Sequence, residues 1–156
     1  MHIKHLLVAA LAVSAFAHAA DTPGSNPSVR APSVNERLGN ARKAIEAKDW
    51  NKAVAELDVA AREEPRNADV QNLLGYSWRK RATPNLPKAF EHYNTALRLD
   101  PRHKGAHEYI GEAYLMDKKP AEAEKHLAQL EAICGNKTCE EYADLARAIA
   151  DYKAKN

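Results

Sequence analysis

Residues 89–101 read AFEHYNTALRLDP, and the spacing of Ala89, Tyr93, Ala96 and Pro101 decides the fold. Steps of four and three put the first three of these on one face of a helix, and Pro101 ends that helix because the residue before a proline is pushed out of helical angles. The same steps recur at Ala53, Leu57, Ala60 and Pro65, and again at Ala123, Leu127, Leu130 and Gly135, where the proline has been lost. A second pattern precedes each copy: Asn40, Ala41 and Ala44; Leu74, Gly75 and Trp78; Ile110, Gly111 and Tyr114. Ala89 to Ala123 is 34 residues, whereas Gly75 to Gly111 is 36, so the middle copy carries two extra residues, within the stretch 81–87. A period of this length marks a repeat protein whose units cannot bury their apolar faces alone.

Each copy reads locally as two amphipathic helices joined by a tight turn. Ser33 and Glu36 form a capping box, Lys48-Asp49 breaks the first helix before Trp50 opens the second, and Asn67 caps the third. The stretch RATPNLP cannot continue a helix, and Pro87 and Pro120 suit first turns, where a missing N–H costs nothing. Ala41, Gly75 and Gly111 are expected to let helices approach, facing a flat patch of Ala53, Ala89 and Ala123. Trp78, Tyr114, Leu57, Tyr93 and Leu127 fill the layer beside them. After Gly135, Thr138 and Glu141 suggest another capping box, and Tyr142, Leu145, Ala146, Ile149 and Tyr152 form one stripe of a seventh helix that covers the last apolar face.

These residues resemble the tetratricopeptide repeat family. Leu74-Gly75-Trp78 with Ala89-Tyr93-Ala96-Pro101 and Ile110-Gly111-Tyr114 with Ala123-Leu127 carry the likeness, and the ending CGNKTCEEYADLARAIA is similar to those of small secreted bacterial members. The resemblance implies an all-α fold, a short α-solenoid of three repeats at 34–66, 67–102 and 103–135, with a capping helix and tail at 136–156. Asn40 and Ala44 depart from the family's large residues, which predicts a loosely packed first helix. The resemblance also implies that the first helices line an inner groove for a partner. By register its candidates are Asn35, Leu38, Arg42, Ile45 and Glu46; Asp69, Asn72, Tyr76, Arg79 and Lys80; and Glu108, Glu112, Leu115 and Met116. A basic middle beside an acidic flank suits a peptide carrying charges of both signs. The carboxylate clamp of chaperone-associated members is missing, because Leu38, Arg42, Gly105 and Tyr109 stand at its positions.

The remaining features bound the function. Residues 1–19 read as a signal peptide, with cleavage expected after Ala19, and residues 20–33 as a flexible Pro/Ser-rich leader, which implies a periplasmic or secreted protein. The chain has 23 basic and 21 acidic side chains; removing Lys4 leaves 22 against 21, too small a surplus for nucleic-acid binding. No membrane association is expected once the signal is removed. No phosphate-binding loop, dinucleotide fingerprint, zinc-protease motif or nucleophile elbow appears, so neither an enzyme nor a cofactor is expected. In an oxidising compartment Cys134 and Cys139 are expected to form a structural disulfide; a thiol-redox accessory role and metal binding are the alternatives. His103 and His107, one turn apart near Glu108 and Glu112, supply only half a tetrahedral metal site, and no metal is expected there. His92 and His126 read as surface residues. The expected role is a protein-interaction adaptor; weak self-association through the solenoid ends is the structural alternative.

Overall fold

A computed structural model describes residues 30–156; the expected signal peptide and the leader up to residue 29 lie outside the described residues. Seven helices follow in order: α1 Val34–Glu46, α2 Trp50–Glu63, α3 Ala68–Lys80, α4 Leu86–Leu99, α5 Lys104–Met116, α6 Pro120–Cys134 and α7 Glu140–Lys155. No strand occurs among the described residues, and no helix there is long and apolar enough to cross a membrane.

Local signals set these boundaries. At α1 the Glu36 N–H donates to Ser33 Oγ at 3.3 Å, and the Ser33 N–H donates back to the Glu36 carboxylate at 2.7 Å. Asp49, Asn67 and Asn85 each cap a helix by accepting a backbone N–H three residues on, and His103 Nδ1 does the same for Ala106. Three-residue turns, 47–49 and 117–119, close the first and third pairs, with Lys48 and Lys118 in the left-handed region at φ 56° and 58°. The middle pair instead uses the five residues 81–85, two more than the other turns, which accounts for the two extra residues of the repeat count. Before α7 the expected box does not form. Cys139 is the N-cap without a side-chain bond, the Thr138 hydroxyl donates to Asn136 Oδ1 at 2.9 Å, and Glu141 pairs with Lys104 instead.

Three apolar clusters run through the stack. Val34, Leu38, Val54, Leu57, Val70 and Leu74 join the first pair to α3; Ala89, Tyr93, Ile110 and Ala113 join the second pair to α5; Leu115, Ala123, Leu130, Leu145 and Ile149 seat α7. Trp78 packs on the first and second clusters and Tyr114 on the second and third, so the core is continuous. Ala41 and Ala44 are both buried, and α1 is seated on α2 rather than loosely packed. The small residues meet different neighbours from those expected. A Cβ on Gly75 would come within 2.6 Å of the Tyr93 ring, and one on Gly111 within 2.6 Å of Leu145 from α7. Aromatic or branched bulk, not an alanine patch, fills the space each glycine leaves.

Candidate partner-binding face

Curvature follows from which helices touch. α3 packs on α5 and α5 on α7, whereas the alternating helices α2, α4 and α6 make no comparable contact with one another. α3, α5 and α7 therefore form the compressed inner layer, with α1 seated on α2 beside it.

Aromatic rings run across that layer. Tyr76 of α3 lies 4.7 Å from Tyr109 of α5, centroid to centroid, and Trp50 at the start of α2 meets Tyr76 edge-on at 6.2 Å. Arg79 lies under the two tyrosines, with its guanidinium 5.4 Å and 5.7 Å from their ring centres. Its Nη2 pairs with Glu112 at 2.5 Å, and its Nε–H donates to the Tyr93 hydroxyl at 3.2 Å. Only 5% of Arg79 is exposed, so it fastens α3 to α4 and α5 and is not the open groove cation its register implied. Burial also raises the Tyr76 and Tyr93 hydroxyls above the usual phenol range and pushes Tyr109 up to about 12.

The other candidates divide by burial. Asn35, Arg42, Glu46, Lys80 and Met116 stand exposed, with the Lys80 ammonium 5.9 Å from the Tyr76 ring centre. Ile45 is half-buried. Leu38 and Leu115 belong to the core, the latter because α7 covers it. Asp69 is exposed and accepts from His103 Nε2–H at 3.0 Å. Asn72 and Glu108 are buried. The bipolar groove of the sequence reading is thus reduced: its basic middle is Arg42 and Lys80, and one of its acids, Glu112, is spent on Arg79. Burial, reinforced by Glu112, Asp144 and Glu141, pushes the Glu108 carboxyl up to about 8.

Trp50, Tyr109 and the α7 carboxylates escaped the sequence reading. Trp50 belongs to a second helix and Tyr109 sits one position off the expected stripe. α7 lies outside the three repeats, so their register does not reach it.

The histidines hold the hairpins together. His103 is engaged with Asp69 and the α5 N-terminus, away from any shared site with His107. His107 Nε2–H donates to the Pro101 carbonyl at 3.0 Å, which leaves its Nδ1 to accept from His126 Nδ1–H at 2.9 Å. His126 is half-buried and stacks on Tyr114 at 5.7 Å, and His92 Nδ1–H donates to Gln71 Oε1 at 2.8 Å, so neither is an ordinary surface residue. Burial lowers all three pKa values, that of His126 to about 4. Cys134 and Cys139 are joined in a disulfide across residues 135–138, with Cα atoms 6.3 Å apart, tying the end of α6 to the start of α7.

A profile of the tetratricopeptide repeat matches residues 38–101 and 85–137. Among solved structures, the TPR2B domain:pHsp70 complex of yeast Sti1 is 16% identical, with a TM-score of 0.69 over 79% of this chain and 98% of that one. The type III secretion translocator chaperone SycD of Yersinia enterocolitica is 15% identical, with a TM-score of 0.70 over 82% and 97%. The first TPR of Spaghetti (RPAP3), bound to the HSP90 peptide SRMEEVD, is 16% identical, with a TM-score of 0.65 over 83% and 99%. At these identities the likeness is one of fold. A search of curated protein sequences returns no match.

Proposed function

The chain belongs to the tetratricopeptide repeat family, and from that premise we propose that it is a non-catalytic adaptor, exported through its N-terminal signal, that holds a partner protein or peptide on its inner face. The observation that carries this reading is the run of Trp50, Tyr76 and Tyr109 across the inner layer, with the exposed Lys80 ammonium 5.9 Å from the Tyr76 ring centre and Arg42 exposed on α1. Aromatic surface beside accessible charge is the composition of a recognition surface: rings supply contact area at low entropic cost and the charges orient the ligand. The partners and peptides bound by the structural neighbours agree with this in kind. A chaperone tail is not the ligand we infer, since Leu38, Arg42, Gly105 and Tyr109 replace the clamp.

The test is capture from a periplasmic extract with the tagged chain starting at Ala20, alongside Trp50→Ala/Tyr76→Ala and Arg42→Glu/Lys80→Glu variants. A specific partner lost from both variants, with helicity retained, supports the inner face; capture unchanged in both moves the interface elsewhere. Arg79 is unsuitable for this purpose because its removal strands Glu112 and Tyr93. N-terminal sequencing of the exported protein checks processing after Ala19.

A second reading, self-association, draws on Met116. It is 45% exposed at the end of the stack, beside a hollow of about 390 Å³ lined by Leu115, Ala148 and Tyr152. Light scattering over a concentration series separates the two, because a monomer at every concentration removes this reading.

A further inference from the structure

Four carboxyl groups gather where α5 meets α7, and three of them have a cation. Glu112 has Arg79 at 2.5 Å, Glu141 has Lys104 at 3.4 Å and Asp144 has Arg147 at 2.6 Å. Glu108 is the fourth. It is more than nine-tenths buried, and among the described residues no hydrogen bond or ion pair reaches its carboxyl. Asn72 on α3 is a second group left in this condition, 6% exposed, with an Oδ1 that accepts no hydrogen bond. Its side-chain nitrogen lies 3.1 Å from where a Cβ on Gly105 would stand. Gly105 precedes Glu108 by three residues, one turn back on the same side of α5. Among the described residues, a fully buried amide oxygen without a donor and a largely buried carboxyl without a partner thus share one seam of the inner layer, and such groups are costly left alone.

Among the described residues, the nearby cations do not fill this seam. Arg79 and Lys104 are held by Glu112 and Glu141, and Lys80 lies over the Tyr76 ring. Facing the Glu108 carboxyl are Tyr76 and Arg79 from α3, Tyr109 and Glu112 from α5, and Glu141 and Asp144 from α7. A carboxylate, an amide oxygen and tyrosine rings together complement an ammonium or guanidinium group. We propose that Glu108 and Asn72 form a subsite that receives a lysine or arginine side chain of the partner held on the inner face; this rests on the adaptor reading above. Without a ligand the buried carboxyl keeps its proton near neutrality. Arrival of the cation ionises it, and the proton is released to solvent.

The test uses two blocked pentapeptides, Ac-Ala-Ala-Lys-Ala-Ala-NH2 and the same peptide with norleucine for lysine, titrated into the chain starting at Ala20. NMR follows the backbone amides, the Asn72 side-chain amide and the Glu108 carboxyl carbon. The lysine peptide is expected to shift both side chains and to ionise Glu108, and its affinity is expected to rise roughly tenfold from pH 7 to pH 9. Glu108→Gln should abolish that rise, and Asn72→Ala should weaken binding without abolishing it. If the norleucine peptide binds the inner helices equally well, the subsite falls while the adaptor reading stands. Lysine-peptide shifts confined to α2, α4 and α6 overturn both. Absence of any shift at Glu108 and Asn72 overturns the subsite.

Discussion

The first and third helix pairs share a register but are held together by different chemistry. In α1–α2, buried Val34, Leu38, Val54 and Leu57 face one another, and the polar contribution is Arg37 reaching Glu56 at 3.2 Å and Glu63 at 3.5 Å near the surface. In α5–α6 the seam contains the His107–His126 hydrogen bond, α5 buries Glu108, and Leu145 of α7 fills the space at Gly111. The first pair is closed by its own side chains and by α3. The third is completed by a helix outside the repeat and contains groups whose charge state changes within ordinary pH ranges. Two copies of one pattern therefore differ in how much they depend on context.

Removing the borrowed side chain tests this dependence most severely. Leu145→Ala leaves a cavity against Gly111 and is expected to cost about 3 kcal/mol, with hydrogen exchange rising in α5–α7 and unchanged in α1–α2. Uniform loss of protection across all seven helices would show that the stack unfolds as one unit and would erase the contrast.

Acid–base behaviour should separate the pairs next. Glu108 is raised in the folded chain, so its stabilising effect is full below the unfolded carboxyl range and is lost as pH rises through about 8. Glu108→Gln is accordingly expected to raise stability by about 2 kcal/mol above pH 8 and to change little near pH 4, as read from urea unfolding at the two pH values.

His126 has the opposite sign. Its lowered pKa makes its contribution full above the unfolded imidazole range and lost as pH falls toward about 4. His126→Phe keeps the ring beside Tyr114 but strands His107 Nδ1. It should cost about 1 kcal/mol at pH 7.5 and flatten the acid limb of stability between pH 6.5 and pH 4. An unchanged acid limb would place the sensitivity in other groups.

The smallest effect belongs to the first pair. Lys48 has φ 56°, which glycine adopts without a Cβ penalty, so Lys48→Gly should stabilise by about 0.5 kcal/mol, measured as a rise in Tm. Lys118 gives the same comparison in the third pair.

The helix pairs were legible because their signals are local. Spacing of four and three, a serine three residues before a glutamate, and prolines after the last helical turn depend on neighbours within one or two turns of chain. The extra residues at 81–85 were legible for the same reason, as a difference in count. Thr138 and Glu141 misled because the box pattern was satisfied in letters while Asn136 and Lys104 were closer partners in space. For the inner face, register expects Tyr76, Lys80 and Arg42 to be accessible, and the structure leaves Arg42 and Lys80 exposed and Tyr76 half-buried; it buries Arg79, which Tyr93 and Glu112 hold from 14 and 33 residues away.

The order of helices, their ends and the family were determined by the sequence itself, since periodicity, caps and turns act over a few residues of contiguous chain. Which charges stay open to a partner was decided only when α3, α5 and α7 came side by side. The desolvation of a carboxyl or guanidinium, and the neighbour that compensates it, depend on helices brought together from distant parts of the chain. Arg79 and Glu108 look alike in a register diagram as charged groove residues; tertiary packing gave one a partner and, among the described residues, left the other without.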